Sequence, residues 1–548
     1  MNPFCNKLTL RSVTCLLALS GLATQVYAIN PPSPGTVRES FSAPTLQAPA
    51  VDTDSPVKAE RKPTKAPKSS KRILINRFEI TGNTAFSSKE LLLLISGLHG
   101  KKLTLEEVYA AADILTDYYR TRGFSLARVV VPAQRISLGI IQLEAIEGRL
   151  NKVHFEGNKS YSGSFISEYL GNTEAGQAVS LEALERELLL LNDQPGLTSR
   201  AIVRPGPVYG TSDLVIQSEE KRYEGKVSLN NYGRVEVGEW RVDGEFTANN
   251  LSGAGDQFSF TGTKSEAGLL TYASFAYNRP INARGTRLGG VLSYIDYGVA
   301  GQFKALDIEG KSTNFKLTLS HPYQRTRKQN ILLGLSLGRD GSESRTLGVL
   351  TSDADITLLE GSVLFNKIHE NNAVSSLSAV LSTNLRSNKD GTEVGRQKAK
   401  LVIDGSHTLN LNRDWSAYLR GVIAVSADPL VDSEKFSIGG QGSVRGFPSA
   451  EVRGDQGFLF NAELHRRFNL EGTLPGSARI FFDTGRVTRK EPVGVEQEEN
   501  LTSLGVGLTI YPAKNFSIDL DYAKPIDAHE TTDERSGGRF WVNMTARF

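Results

Sequence analysis

The C-terminal part of the chain, residues 223–548, alternates between apolar and polar positions with a period of two. The alternation is clearest in residues 503–510, 516–523 and 540–548. Each of these segments has one apolar and one polar face, as expected of β-strands covered on one side. Two architectures fit this pattern: a water-soluble core lined by the apolar faces, or a membrane barrel whose apolar faces meet lipid around a polar lumen.

The number and length of these segments favour the membrane barrel. About sixteen candidate strands of ~10 residues can be counted, and strands of this length cross a bilayer at a tilt. Bacterial barrels have an even number of antiparallel strands, and closure removes the edges that so long an open sheet would expose. The sequence therefore predicts a transmembrane β-barrel of about sixteen antiparallel strands over residues 222–548.

Two small α+β domains are predicted upstream, at residues 72–149 and 150–221. In the first, residues 77–80 alternate as in a half-buried strand, and Gly82-Asn83 supplies turn residues. Two capping boxes of the form Ser/Thr-x-x-Glu then begin two helices, and two further strands follow. The sequence VHFEGN at 153–158 echoes FEITGN in the first domain, so the pattern is a tandem repeat.

The first 71 residues show no globular pattern. Residues 1–28 combine basic residues, an apolar run and a small-residue ending at Ala28, which predicts a secretory signal peptide. Residues 29–71 are rich in Pro, Ser, Ala and Lys and predict a flexible tether. Cys5 and Cys15 both lie in the leader, so we expect neither a disulfide nor a cysteine metal site in the mature chain.

A long loop is predicted at residues 427–456, between two candidate barrel strands. Hairpin loops usually have about 2–5 residues, and much longer loops are functional or disordered. Residues 436–457, FSIGGQGSVRGFPSAEVRGDQG, place apolar side chains among glycines that permit tight folding. Composition alone fits either a mobile surface tip or a folded functional loop.

The two α+β units resemble polypeptide-transport-associated (POTRA) domains. In the first unit, FEITGNTAFSSKELL, LTLEEVYAAADILTDYYRTRGFSLARVVVPAQ and LEAIEGRL are similar to the POTRA domains of two-partner secretion transporters. An exposed sheet edge in such a domain can accept an extended chain through backbone hydrogen bonds, although the domains could also be mere spacers. The resemblance implies a substrate-binding region that includes Phe78, Ile80, Gly82, Asn83, Tyr119 and Gly123.

Two further motifs resemble those of the outer-membrane-protein-85 superfamily, in which a VRGY/F loop folds back into the barrel. They are VRGF at 444–447 and FFDTG at 481–485, the latter matching F-x-D-x-G. A guanidinium can meet a carboxylate through two parallel hydrogen bonds, so we expect Arg445 to pair with a lumen-facing Asp483; the alternative is that Arg445 faces water. The resemblance implies a loop-to-barrel clasp formed by Val444, Arg445, Gly446, Phe447, Phe481, Asp483 and Gly485.

By these motifs the chain is identified as a member of the two-partner secretion transporters of haemolysin-activator type. Such proteins bind a secreted exoprotein, such as an adhesin, a haemolysin or a large β-helical protein, and pass it to the cell surface without ATP. The resemblance implies a bacterial outer-membrane location, periplasmic POTRA domains, lipid around the barrel, and insertion by the barrel assembly machinery, which reads the terminal Phe548. Some members plug the pore with an N-terminal helix, but the corresponding region here has no amphipathic pattern.

Two other functions share part of these features. An assembly factor that inserts other barrels shares the loop and wall motifs, and a passive porin would explain the barrel but not the α+β domains. The seven histidines show no ligand spacing, and neither a nucleophile elbow nor a phosphate loop occurs, so we expect no enzyme, cofactor or metal. A net charge of +3 gives no argument for a nucleic-acid partner.

Overall fold

The structure is a computed structural model. It describes residues 32–39, 41, 57–59, 71–124, 126–136, 138–171, 176, 180–208, 210–389, 392–393, 399–470, 472, 474–490, 496–527, 529, 531–533 and 537–548. The predicted signal peptide, residues 1–28, and most of the predicted tether, residues 29–71, lie outside the described residues.

The region predicted as a flexible tether contains two short elements. Helix α1 spans Pro34–Glu39 and strand β1 spans Val57–Ala59, so the structure departs from the prediction here. Pro34 occupies the first helical position, where its missing N–H is tolerated. Val37 is 1% exposed and packs among barrel side chains. A helix this short is not stable alone, so its surroundings, which local sequence does not reveal, decide its conformation. In the described part of the chain, no helix has the length and apolarity needed to cross a membrane.

The first α+β unit, POTRA1, begins each helix with a side-chain cap. Its elements are β2 (Arg72–Ile75), β3 (Arg77–Thr81), α2 (Ser88–Leu94), a 3-10 turn (Ser96–Leu98), β4 (Lys101–Thr104), α3 (Leu105–Thr121), β5 (Arg128–Val130) and β6 (Ile140–Ile146). Ser87 caps α2, and Thr104 with Glu107 forms a complete capping box on α3. The sheet order is β3-β6-β5, with β2 and β4 paired separately. Both helices pack on this sheet around the buried Leu115 and Leu143.

The second unit, POTRA2, repeats this arrangement. It contains β7 (Arg149–Glu156), α4 (Gly163–Tyr169), α5 (Leu181–Asn192), β8 (Leu197–Pro205) and β9 (Thr211–Glu220), in the sheet order β1-β8-β9-β7. A glutamate closes the first turn of each unit. Glu147 accepts hydrogen bonds from the Thr84 and Ala85 amides at 2.6 and 2.8 Å, and Glu220 accepts one from the Lys159 amide at 2.7 Å. The units therefore share a tertiary contact as well as a topology.

The remaining chain forms a closed barrel. Its elements are β10 (Tyr223–Asn230), β11 (Arg241–Asn249), β12 (Gln257–Ser265), β13 (Leu270–Pro280), β14 (Arg287–Gly298), β15 (Ile308–Arg325), β16 (Gln329–Thr346), β17 (Val349–Ile368), β18 (Val374–Lys389), β19 (Thr392–Glu393), β20 (Ala399–Asn410), β21 (Trp415–Ser426), β22 (Phe436–Ile438), β23 (Val452–Gly454), β24 (Gln456–Leu470), β25 (Leu474–Arg489), β26 (Gln497–Ala513), β27 (Phe516–Pro525) and β28 (Arg539–Arg547). Short 3-10 turns lie at Val235–Val237, Glu266–Gly268, Gly301–Leu306 and Asp432–Glu434. Inside the long loop, strands β22 and β23 pair with each other and with no other strand of the described residues.

Sixteen long antiparallel strands of the described residues close the barrel, because β10 pairs with both β11 and β28. This confirms the predicted fold class. Apolar side chains point outward along alternate positions, as Leu335 and Ile480 do, while their neighbours Ser336 and Phe481 point into the lumen. An apolar outer face around a polar interior is the arrangement of a barrel surrounded by lipid.

Candidate functional site: a loop clasped to the barrel wall

Residues 427–455, between β21 and β24, fold into the lumen. The hairpin of β22 and β23 carries the loop inward, and its tip is a tight turn in which the Gly440 amide donates to the Val444 and Phe447 carbonyls at 3.2 and 3.0 Å. Gly440 has φ of 100°, a backbone conformation that favours glycine. Val444 and Phe447 are both 0% exposed, so the tip is a packed structure rather than a mobile surface loop.

Arg445 at the tip pairs with Asp483 on the wall strand β25. Its Nε and Nη2 atoms donate to the two carboxylate oxygens at 2.8 and 2.7 Å, and its backbone amide donates to Oδ2 at 3.2 Å. Asp483 is 0% exposed and Arg445 is 4% exposed, so water screens this pair little. The geometry fixes both the position and the direction of the loop tip.

Side chains around this ion pair satisfy its remaining groups. Glu463 Oε1 lies 2.8 Å from Arg445 Nη2 as a second ionic partner, and Asn461 donates to Asp483 Oδ1 at 2.8 Å. The guanidinium carbon lies 3.4 Å from the centroid of the Phe481 ring. Trp541 on β28 donates its indole N–H to the Arg445 carbonyl at 2.8 Å. Three barrel strands, β24, β25 and β28, therefore hold one loop residue.

The glycines of the two motifs permit close approach. A Cβ on Gly446 would lie 2.7 Å from the Ser503 Cβ, and the Gly446 amide donates to Ser503 Oγ at 3.1 Å. A Cβ on Gly485 would lie 2.9 Å from the Phe458 carbonyl oxygen. The structure thus brings all seven residues of the expected clasp to one place. Gly446 and Gly485 have no side chain and therefore leave room for the neighbouring chain.

A second attachment of the loop has no signal in the sequence. Arg234, near the 3-10 turn after β10, donates to the Ser449 carbonyl at 3.0 Å and lies 3.6 Å from Glu451. Glu451 in turn accepts from the Thr532 amide at 2.7 Å. These residues are far apart in sequence, and their residue types are common, so no local pattern indicates the contact.

The third attachment joins the base of the loop to the N-terminal segment. Arg453 donates to Asp432 Oδ2 at 2.7 Å and to Ser33 Oγ at 3.1 Å. Helix α1 follows Ser33 inside the lumen, where Arg38 forms an ion pair with Asp340 of β16. A signal for Arg453 existed in the sequence, because Val452-Arg453-Gly454 repeats the Val-Arg-Gly of the loop tip.

The POTRA residues expected in a substrate-binding region lie mostly inside the domain. Phe78 and Tyr119 are 2% and 0% exposed, and Ile80 belongs to the same core. Gly82 and Gly123 have positive φ, and Asn83 donates to the Phe86 carbonyl at 2.8 Å. Phe78, Ile80 and Tyr119 thus contribute to the core, whereas Gly82, Asn83 and Gly123 shape turns at the surface of the domain.

The terminal Phe548 lies at the seam where the barrel closes. Its amide donates to the Gly225 carbonyl at 3.0 Å, and the Gly225 amide donates back to the Phe548 carbonyl at 3.0 Å. A Cβ on Gly225 would lie 2.1 Å from the Phe548 ring. Phe548 therefore joins the last strand to the first. Within the described residues, no three His, Cys, Asp or Glu side chains group as metal ligands.

The closed barrel, the two α+β domains and the clasped loop define a class: outer-membrane barrel proteins with periplasmic POTRA domains. The profile of the family "Haemolysin secretion/activation protein ShlB/FhaC/HecB" matches residues 210–510, more than half of the chain, and that of "POTRA domain, ShlB-type" matches residues 73–148. The chain belongs to the haemolysin secretion/activation family, and it is an outer-membrane transporter of the two-partner secretion type.

Known proteins agree with this assignment. The chain is 24% identical to the heme/hemopexin transporter protein HuxB of Haemophilus influenzae, over 96% of this chain and 97% of that protein. It is 23% identical to the hemolysin transporter protein ShlB of Serratia marcescens, over 78% and 77% of the two chains. The solved structure of CdiB from Escherichia coli has the same fold, with a TM-score of 0.71 at 20% identity, over 89% of this chain and 93% of that one.

Proposed function

We propose that this transporter binds an extended segment of one secreted exoprotein at its POTRA domains and passes it through the barrel lumen. The cargo is a protein of the kind that such relatives are named for, a haemolysin or a haem-acquisition protein. The chain acts without catalysing a reaction or binding a nucleotide. Folding of the exoprotein outside the cell removes the extended form and so opposes its return.

The observation that carries this proposal is the position of POTRA2 beneath the lumen. A cavity of about 610 Å³ is lined on one side by Asp193 and Gln194 at the end of α5, and on the other by lumen residues such as Ser336 and Glu360. Its lining mixes apolar side chains with polar ones such as Gln257, Asn278 and Ser320, which offer hydrogen-bond partners to the backbone of an extended chain. A polypeptide leaving POTRA2 thus has a direct path into the barrel.

POTRA2 is attached at this position by two ion pairs between partly buried groups. Arg325, at the end of β15, donates to both carboxylate oxygens of Asp193 at 2.8 Å. Arg327 in the following turn donates to Glu185 at 2.7 Å. These contacts support a fixed delivery point for cargo rather than a freely swinging domain.

In this proposal the Arg445–Asp483 clasp keeps the loop in the arrangement that transport requires. Removing one partner of a buried ion pair leaves an uncompensated charge, at a cost of about 3–5 kcal/mol. Lipid surrounds the barrel, and the barrel assembly machinery inserts it through the strand that ends at Phe548. The apolar outer face supports the first partner, and the pairing of Phe548 with Gly225 at the seam supports the second.

The test compares Arg445→Ala with Arg339→Ala. Arg339 pairs with Asp355 in the same two-bond geometry, but its side chain is 70% exposed, so it is a matched control. Secretion is measured by mass spectrometry of surface and medium proteins, with cells that lack this chain as the reference. Barrel assembly is measured by heat-dependent gel mobility.

We expect Arg445→Ala to assemble but to reduce secretion at least about tenfold, since ~1.4 kcal/mol already changes an equilibrium tenfold. Arg339→Ala should secrete normally. Wild-type secretion by Arg445→Ala would refute the role of the clasp.

A further inference from the structure

The hairpin of β16 and β17 ends in an exposed apolar tip. Its last pair joins Thr346 to Val349, so Leu347 and Gly348 form a two-residue turn. Leu347 and Val349 are each 65% exposed, and Leu350 is 46% exposed. POTRA2 is attached at the other end of this part of the barrel, through the end of β15 and the turn that follows it. The apolar tip therefore lies at the cell-surface end.

The turn contains a residue that its own conformation disfavours. Leu347 has φ of 52° and Gly348 has φ of 75°, the left-handed conformations that such hairpin turns require. Asn-Gly, Asp-Gly or Gly-Gly is preferred at these two positions, because a bulky side chain is strained at positive φ. The backbone of the turn therefore does not account for Leu347, and its exposed apolar side chain needs a separate explanation.

The hydrocarbon of the membrane does not reach this tip. On the outer side of β16, Leu335 and Leu337 belong to the apolar band, whereas Arg339 and Arg345 are the exposed residues nearer the tip. A barrel strand rises about 3.4 Å per residue and tilts by about 40°, so the ten positions from Leu337 to Leu347 carry the tip roughly 25 Å beyond that band. Lipid therefore does not cover the exposed leucine.

The tip is fixed beside the outer end of the lumen. The Leu347 amide donates to the Leu306 carbonyl at 3.0 Å, in the 3-10 turn that follows β14. On the inner side of that turn, Phe303 is buried in one cluster with α1 and the barrel wall. Gln302 in the same turn donates to the Thr532 carbonyl at 2.9 Å, in the β27–β28 loop that also binds the clasped loop. A chain that leaves the lumen therefore passes close to the apolar tip.

We propose that an apolar surface beside the exit, the exit cluster, binds the first segment of the exoprotein to leave the lumen. The cluster consists of Leu306, Leu347, Val349 and Leu350. The inference rests on the proposed function, because it names the surface that the cargo meets after passage. The partner is an extended chain with alternating apolar side chains, which are not yet buried in its own fold and therefore favour contact with an apolar surface. Contact here holds the emerging segment outside while it begins to fold.

A second copy of this chain is the alternative partner for an exposed apolar tip. Stable protein interfaces bury at least ~1,200 Å², and four side chains at a hairpin tip supply far less than this. Transient contact with an emerging chain needs no such area. The small size of the exit cluster and its place beside the lumen therefore favour the exoprotein.

The first test removes the apolar surface and keeps the backbone. Leu347→Asn introduces a residue that this turn prefers, and Val349→Thr keeps a β-branched side chain in the strand. The double variant should therefore assemble like the wild type, as heat-dependent gel mobility will show. Leu411→Asn is the matched control, because Leu411 is 57% exposed in the turn between β20 and β21, at the periplasmic end.

The readout is folding of pulse-labelled exoprotein at the cell surface. The exoprotein is the protein that cells with the wild-type chain export and cells without this chain do not, and its folding is followed as resistance to added protease. We expect the resistant fraction shortly after export to fall at least about threefold in the double variant, because the emerging chain loses an apolar contact. The control variant should match the wild type. An unchanged resistant fraction in the double variant would overturn the proposal.

The second test identifies what contacts the tip. A photoreactive side chain is placed at Leu347, or at Leu411 as the control, in cells that export the exoprotein. We expect far more captured exoprotein at Leu347 than at Leu411. Capture of a second copy of this chain at Leu347, without the exoprotein, would overturn the proposal. Failure of the proposed function is distinguishable, since cells with and without the wild-type chain would then export the same proteins.

Discussion

Arg445 holds the loop through its shape as well as its charge. Its planar fork reaches both oxygens of Asp483 and also Glu463, while its face covers the Phe481 ring. Lysine carries the same charge, but its ammonium group lacks the two parallel N–H donors and the planar surface of a guanidinium. A loop tip held by lysine would therefore keep its attraction to the wall and lose its fixed direction.

We accordingly expect Arg445→Lys to lie between the wild type and Arg445→Ala in secretion. Hydrogen exchange of residues 439–447 should be faster than in the wild type, because the tip opens more often. A double-mutant cycle with Asp483→Asn gives the coupling, which should be at least ~1 kcal/mol for residues that share a buried network. Exchange at the wild-type rate in Arg445→Lys would show that charge alone holds the tip.

At this scale the sequence predicts contacts that belong to short motifs. The pairing of Arg445 with Asp483 could be anticipated, because each lies in a motif and strand alternation turns Asp483 inward. The contacts of Arg234 with Glu451 could not, since they join segments separated by 217 positions, and lumen charges have many possible partners. Phe78 and Tyr119 were expected near a ligand, but burial of their rings in the core outweighs any surface role.

At the scale of elements, the two POTRA units use one glutamate each to connect the end of the sheet with the first turn. Burial of Glu147 disfavours its ionised form and so raises its pKa. Hydrogen bonds from Ala85, Thr84 and Tyr119 lower the pKa by more than this, so it stays below the ordinary 4.5. Hydrogen bonds from Lys159 and Ser160 likewise outweigh burial and lower the pKa of Glu220. The ionised form is therefore the one that stabilises each folded unit.

The stabilisation by Glu147 should therefore depend on pH in a defined direction. A carboxylate with a lowered pKa stabilises the fold fully above its ordinary pKa, and this is lost as the pH falls through the folded-state value. We expect Glu147→Gln to lower the thermal stability of POTRA1 at pH 7, and the difference from the wild type to shrink below pH ~4.5. Asp113→Asn, at an exposed position on α3, is the control. A constant difference at all pH values would contradict this role.

Elements with their own caps, turns or alternation were predictable, and elements that depend on a partner were not. The capping box of Thr104 and Glu107 predicts the start of helix α3, and the period of two predicts the barrel strands. Helix α1 and strand β1 carry no such signal. Their conformations follow from the lumen around Val37 and from the backbone of β8, which are distant in sequence.

At the scale of the whole molecule, the lumen is occupied from two sides. The clasped loop crosses it from the outer end, and α1 lies between the loop base and the walls at β15 and β16. The Phe41 ring stacks on Tyr272 with centroids 4.5 Å apart, which adds to the attachment of this segment. An exoprotein can pass only if at least one of these obstacles moves.

Deletion of residues 32–41 should therefore widen the open path. We expect a larger single-channel conductance in planar lipid bilayers than for the wild type, with the loop still in place. Deletion of residues 60–69, from the same Pro-rich segment, removes the same number of residues and should leave the conductance unchanged. An unchanged conductance after the first deletion would mean that α1 does not restrict the path.

Cross-linking from the two faces of one barrel strand tests the central claim, that the exoprotein crosses through the lumen, most directly. Leu335 on β16 is 53% exposed on the outer face, and the adjacent Ser336 is 8% exposed and lines the cavity above POTRA2. A photoreactive side chain is placed at either position in secreting cells. We expect Ser336 to capture the exoprotein and Leu335 to capture lipid. Capture of the exoprotein at Leu335 and not at Ser336 would contradict the account.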